Sequence, residues 1–330
     1  MLSLNNRIDL LDKLGAYMRS DDEQWLQAQY RAISANAWFT PDAVKSAATS
    51  IAIDFLQRDK LQAWVSKYTL PTTPRLVGIV MAGNIPLVGF HDMLCGFICG
   101  HNLMLKLSSK DEVLMKHLVA KLAEWESQIA TQIQIAEMLK GCDAYIATGS
   151  NNTARYFEQY FARFPHLIRK NRTSIAILDG TETDEQLIAL SSDIFSYFGL
   201  GCRNVTQLNV PRGYDLTKLI DVFDRYKDVI NHNKYKNNFD YYLAIYLLNK
   251  VPYLTNESIL LVENELPFSA VAVLHYRYYD DKEALAQSMT GRDDIQCIVG
   301  NGYVPFGAAQ RPQLDDYPDG VDTMAFLCGL

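Results

Sequence analysis

An α/β fold of two doubly wound domains is what this sequence predicts, and two observations predict it. From Arg75 onward, short apolar runs alternate with longer amphipathic stretches, the pattern of βαβ units that build a largely parallel sheet. The chain's 330 residues also exceed what one hydrophobic core usually serves, and a prior of roughly 150 residues per domain gives two. With 48% hydrophobic and 21% charged residues and no low-complexity block, the composition is that of a chain ordered throughout.

Residues 1 to 68 read as helical, because Ile8, Leu11, Leu14 and Met18, then Val44, Ala48, Ile51 and Phe55, recur three or four apart. Strands are expected at Leu76 to Met81, Leu103 to Leu107, Ala144 to Thr148 and Ser174 to Leu178. Helices are expected between them at Pro86 to Cys99, Asp111 to Met138 and Asn152 to Phe164, each beginning beside residues suited to turns and caps. A second set starts at Thr181, with a helix from Asp184 to Phe198 and strands near Val205 to Val210, Ile259 to Val262, Ala270 to Tyr276 and Gln296 to Val299. Leu216 to Leu248 reads as helical and rich in Tyr, Asn and Lys. The turn Asp179-Gly180 divides the chain into 1–179, the opening helical segment plus an α/β domain, and 180–330, a second α/β domain with a C-terminal tail.

The formal charge of -7 argues against a general nucleic-acid or anionic-membrane surface, which would need clustered Lys and Arg. Met1 to Asp9 holds no basic segment followed by an apolar one, so a cytoplasmic product is expected. The apolar stretch Leu76 to Gly100 fails as a membrane span, since Gly83, Asn84 and Pro86 interrupt it and His91 and Asp92 lie in its second half. Six cysteines without CxxC spacing and six histidines without ligand spacing point to neither a disulfide framework nor a metal site.

The chemistry-bearing residues stand at turns. Cys202 follows two glycines and precedes Arg203 and Asn204, which gives a thiol backbone freedom, exposed N–H groups and a nearby positive charge; the alternative is a buried structural thiol in a Gly-rich turn. Asn84, in Gly83-Asn84-Ile85-Pro86 between a strand and a helix, has an amide able to donate to an oxyanion or merely to shape the turn. Lys106, in Lys106-Leu107-Ser108-Ser109, closes the next strand, where it would hold a ribose or phosphate or simply be solvated. Thr148-Gly149-Ser150 forms another strand-to-helix junction, whose N–H groups favour an anion. No GxGxxG is present: Gly199 and Gly201 lack a third glycine and follow a helix, which disfavours the ordinary dinucleotide fingerprint. Arg163, His166, Arg169, Lys170 and Arg172 form a basic run that reads as a solvated face or as a site for phosphates.

In this order, Asn84, Lys106-Ser108, Thr148-Gly149-Ser150, Cys202 and Pro305-Phe306-Gly307 resemble the aldehyde dehydrogenase superfamily. Ala82 to Leu87, Lys106 to Ser109 and Phe198 to Cys202 resemble its acyl-CoA reductase family, which includes the reductase component of the bacterial bioluminescence fatty-acid reductase. The likeness runs from Leu76 to Gln310. It implies an aldehyde-dehydrogenase-like fold with a cofactor-binding first domain, a catalytic second domain and the active site between them. Cys202 would be the acylated nucleophile, with Asn84 and the Cys202 backbone N–H as the oxyanion hole. Lys106, Ser108, Ser109, Thr148, Gly149 and Ser150 would bind a nicotinamide cofactor, and Glu265, in Glu265-Leu266-Pro267-Phe268, its nicotinamide ribose, with the spacing off by about one residue. A tendency to form homo-oligomers comes with the family, and an acyl-donating partner enzyme is compatible with it.

One departure from the superfamily is informative. Its hydrolytic members carry a general-base Glu ahead of the cysteine, whereas residues 159–178 here contain no carboxylate. A thioacyl enzyme without a water-activating base exchanges its acyl group with coenzyme A instead of releasing the free acid. Where NAD-preferring relatives place a glutamate three residues after the lysine, Ser109 stands here, followed by Lys110, which favours NADPH. The expected activity is therefore reduction of a fatty acyl-CoA thioester to aldehyde. A CoA-independent aldehyde dehydrogenase, an acyl-phosphate reductase, and an inactive ligand-binding or scaffolding member of the fold are the alternatives.

Overall fold

The structure, a computed structural model, describes residues 2–330. They form two units: the chain up to Asn171 together with Pro312–Leu330, and Arg172–Arg311. The division falls before the expected turn at Gly180, because the strand read at Ser174 to Leu178 pairs within the second unit's sheet. The expected tail also moves: the helix Thr323–Cys328 packs on the helix Phe90–Cys99 of the first unit, where the His101 ring bonds the Leu327 carbonyl at 2.9 Å.

The first unit opens with the helices Leu4–Met18, Glu23–Ala35 and Pro41–Ser50, capped by the side chains of Ser3, Asp22 and Thr40. The periodic residues Ile8, Leu11, Leu14, Met18, Val44 and Ala48 are all buried, as the helical spacing requires. Behind them lies a five-stranded parallel sheet made of β1 (Leu76–Val80), β2 (Asn102–Lys106), β3 (Ile133–Ile135), β4 (Ala144–Thr148) and β5 (His166–Arg169), in the order β3-β2-β1-β4-β5. The apolar run Leu76 to Gly100 is thus strand, turn and buried helix, and the helix stops at Gly100, whose φ of 88° is accessible to glycine at little cost. Among the described residues no helix is long and apolar enough to cross a membrane.

The second unit holds β6 (Thr173–Ile177), β7 (Val205–Pro211), β8 (Leu254–Thr255), β9 (Leu260–Glu263), β10 (Val273–Tyr279) and β11 (Ile295–Gly300), in the order β11-β6-β7-β10-β9-β8. Among the described residues only β8 pairs antiparallel to its neighbour. β6 is buried along its whole length, which accounts for its uninterrupted run of small and apolar residues. The helix Asp184–Phe195 begins in a capping box between Thr183 and Gln186 and buries Leu187, Leu190, Ile194 and Phe195 in the core.

Candidate active site

In the first unit the chain leaves β1 for β2 and β3 on one side, then returns to lay β4 and β5 on the other. The switch point lies between the carboxyl ends of β1 and β4, where Val80 stands opposite Ala147, and ligands of open α/β sheets bind outside such a point. Three expected residues or segments gather at this edge. Asn84 is exposed in the loop leaving β1, Lys106 is the exposed last residue of β2 with Val80 as its register partner, and Thr148 ends β4. Ser150 caps the helix Asn151–Phe161 by accepting the Thr153 N–H at 3.2 Å, which leaves the helix's positive end at the same edge. Ser108 is half-buried and Ser109 exposed just beyond Lys106. Gly83 brings the first two loops together, since a Cβ there would fall 2.6 Å from the Ser108 Oγ.

The Asn84 loop is held by a residue that the sequence reading passed over as a helix start. Asp111 precedes the helix Glu112–Trp125 yet caps none of its N–H groups. Its carboxyl accepts instead the N–H of Leu87 at 2.6 Å, fixing that residue at a φ of 58°, and the expected helix start at Pro86 gives way to a turn as far as Phe90. Asp111 is 4% exposed and its other oxygen has no hydrogen-bond partner among the described residues. Burial pushes this carboxyl up to about 8, against the pull of the Leu87 N–H. Between the unfolded value, about 3.9, and 8 the native state keeps a proton that the unfolded chain has lost. Stability from this group is therefore complete at low pH and lost as pH rises toward 8. Denaturant titrations of wild type and Asp111→Asn should diverge across that window, the wild type losing up to about 1.4 kcal/mol per pH unit more than the variant.

In the second unit the helix expected to reach Phe198 ends at Phe195. Tyr197, Phe198 and Gly199 then take left-handed conformations in succession, at φ 52°, 59° and 75°, a costly path for two aromatic residues that the surroundings must enforce. The Phe198 ring packs against His232 and Tyr235, and the fully buried Asn204 ties down the segment before the run, its amide donating to the carbonyls of Asp193, Ile194 and Ser196 at 3.0, 3.3 and 2.8 Å. Cys202 sits half-buried in the turn between Gly201 and Asn204. Asp193 carries the next segment: its carboxylate accepts the N–H groups of Gly307 and Ala309 at 2.7 and 3.0 Å, tying Pro305-Phe306-Gly307 to the same helix. An Asn two residues past a Gly-x-Gly-Cys turn was the signal for this arrangement, and it requires a return of the chain that sequence spacing does not display.

Glu265 lies in the loop after β9, exposed and ion-paired with Arg277 at 3.1 Å. The basic run is corrected at Arg169. It is neither solvated nor turned to a phosphate but 3% exposed on β5, bonding both oxygens of the buried Asp92 and donating to the Thr323 hydroxyl at 2.7 Å. Lys170 pairs with Glu158 at 2.9 Å on the surface, and the His166 ring bonds the Phe164 carbonyl.

Residues 54–210 match the family model of acyl-CoA reductase (LuxC). No curated protein matches the chain. Among solved structures, an E. coli NADP-dependent enzyme aligns with a TM-score of 0.68 at 14% identity, over 90% of this chain and 73% of that one. Aldehyde dehydrogenase 21 from Physcomitrella patens, solved with the reaction product succinate, aligns with a TM-score of 0.67 at 13% identity, over 91% and 74%. An aldehyde dehydrogenase from Bacillus cereus in complex with NAD+ aligns at 0.64 and 13%, over 88% and 70%. At these identities the structural likeness shows the fold, an α/β fold similar to that of aldehyde dehydrogenases. The fold agrees with the one implied by the resemblance read from the sequence, and the family match overlaps the first part of the segment that carries that resemblance.

Proposed function

We propose that this chain, similar over residues 54–210 to the acyl-CoA reductases, reduces an acyl-CoA thioester to the aldehyde through a thioacyl intermediate on Cys202, with NADPH as reductant. The observation that carries the reading is the nucleophile turn. A half-buried thiol stands on a loop braced by a fully buried Asn204, in a chain whose residues 159–178 hold no carboxylate to activate water.

The first unit's donor set fits the cofactor. A lysine at the carboxyl edge of β2, hydroxyls at Ser108 and Ser109, and a capped helix N-terminus at Ser150 suit ribose hydroxyls and phosphates. Ser109 and Lys110 place a neutral hydroxyl and a cation where a carboxylate would repel a 2′-phosphate, which supports NADPH; a strong measured preference for NADH overturns this part of the reading. Glu265 is the group proposed for the nicotinamide ribose, for which it would have to leave Arg277.

The Cys202 thiolate attacks the thioester carbonyl, the carbon–sulfur bond to coenzyme A breaks, and coenzyme A leaves as a thiolate. The reduced nicotinamide, when bound, supplies the hydride that brings the acyl carbon to the oxidation level of an aldehyde. The resulting thiohemiacetal then expels the Cys202 thiolate and releases the aldehyde. Negative charge gathers on the same oxygen at both stages, and the Asn84 amide and the Cys202 N–H are the donors proposed for it.

Asn84→Ala tests the donor. The side chain is exposed and its loop is held through Leu87, so the variant should fold as wild type does. Its turnover with an acyl-CoA and NADPH should fall by a factor on the order of 10²–10³, with little change in KM. Turnover near wild type removes Asn84 from the mechanism.

A further inference from the structure

Two fully buried side chains outside the proposed chemistry grip the peptide groups around Cys202. Asn204 holds the chain before it: its Oδ1 accepts the Gly201 N–H at 2.8 Å, and its own backbone N–H donates to the Gly201 carbonyl at 3.1 Å. That carbonyl shares one planar peptide with the Cys202 N–H, which must point the opposite way. Asn204 is anchored in turn by the carbonyls of Asp193, Ile194 and Ser196 and by the Ser174 N–H, which donates to its carbonyl at 3.1 Å. Ser174, on β6, holds the chain after the nucleophile: its hydroxyl donates to the Cys202 carbonyl at 3.1 Å. A hydroxyl has one proton, so toward Cys297 the same oxygen is an acceptor, from the N–H at 3.2 Å and the thiol at 3.1 Å.

We propose that Asn204 and Ser174 are positioning residues that fix the peptide planes on either side of Cys202 and so aim the Cys202 N–H at the oxyanion. This rests on the reading of Cys202 as the acylated nucleophile. The braced turn follows directly on the left-handed run of Tyr197 and Phe198, backbone strain of the kind that collects at functional turns. The bracing accounts for buried polar side chains where apolar ones would pack: each bonds a backbone group whose direction matters for the reaction, and small misplacements of such groups cost large factors in rate.

The test separates the aim of the N–H from the reactivity of the thiol. Alkylation of Cys202 by iodoacetamide, followed by peptide mass spectrometry, develops no oxyanion and reads only the thiolate. Reduction of an acyl-CoA needs both. Asn204→Ala should lower kcat by about 10²-fold and Ser174→Ala by about tenfold, with KM and the alkylation rate at wild-type values, and Ser174→Thr, which keeps the hydroxyl, should recover most of the loss. Ser174→Ala removes a single oxygen and remains informative if Asn204→Ala fails to fold. The proposal is overturned if kcat is unchanged in Ser174→Ala, or falls only in step with alkylation rate and melting temperature. If wild type itself forms no acyl-enzyme with any thioester, the nucleophile reading fails and takes the proposal with it, an outcome visible before any variant is made.

Discussion

Wild-type protein mixed with a panel of acyl-CoA thioesters, without reductant, should gain the mass of one acyl group on Cys202, and Cys202→Ala should gain none. The expectation rests on the braced turn that carries Cys202, since Cys297 and Cys328 are half-buried as it is. Cys95, Cys99 and Cys142 are buried, and burial pushes the thiols of Cys95 and Cys142 up, away from the thiolate that attacks an ester. Cys202 is half-exposed on a turn beside Arg203, and its peptide groups are held in place. Adding NADPH should discharge the wild-type adduct as aldehyde, and the chain length that loads fastest identifies the substrate. An adduct that persists in Cys202→Ala moves the nucleophile elsewhere; the absence of an adduct with every thioester favours the reading of a ligand-binding or scaffolding member of the fold.

The second large effect is on stability. Asp92→Ala takes the bonded carboxylate from an Arg169 that is 3% exposed in the native protein, leaving the Thr323 hydroxyl as its hydrogen-bond acceptor. Breaking one partner out of a buried ion pair typically costs about 3–5 kcal/mol, most of it the desolvation of the orphaned charge. For a unit of this size the melting temperature should drop on the order of 10 °C. Asp92→Leu combined with Arg169→Met should recover most of that loss, because two apolar side chains of similar volume carry no such penalty. Calorimetry of the single and double variants decides the matter: equal losses in both would mean that packing, and not the orphaned charge, sets the cost.

Much of the fold is legible in the sequence because local periodicity and burial agree there. β1, β2, β4 and β7 fall within a residue or so of their expected bounds, since each is a short apolar run bounded by turn residues. The turns bearing Asn84, Lys106, Ser150 and Cys202 are legible as places where strand pattern meets helix pattern, and the order of these motifs along the chain carries the resemblance to acyl-CoA reductases.

What tertiary structure alone decided is of another kind. The helical pattern expected from Asp111 to Met138 stops at Trp125, and Ile133–Ile135 becomes an edge strand because the side of β2 left open by β1 offers it a partner. β5 was hidden in a basic run, for an arginine reads as solvated until a buried aspartate 77 residues away neutralises it. The same holds for Asp111, Asn204 and Ser174, whose partners are backbone groups of turns brought near by the fold. The sequence by itself determined the strands, the helices and the residues with chemistry to offer, because periodicity and turn propensity act over a few neighbours. Which polar groups are desolvated, and which backbone groups they hold, is set by contacts across tens of residues and is read only from the folded chain.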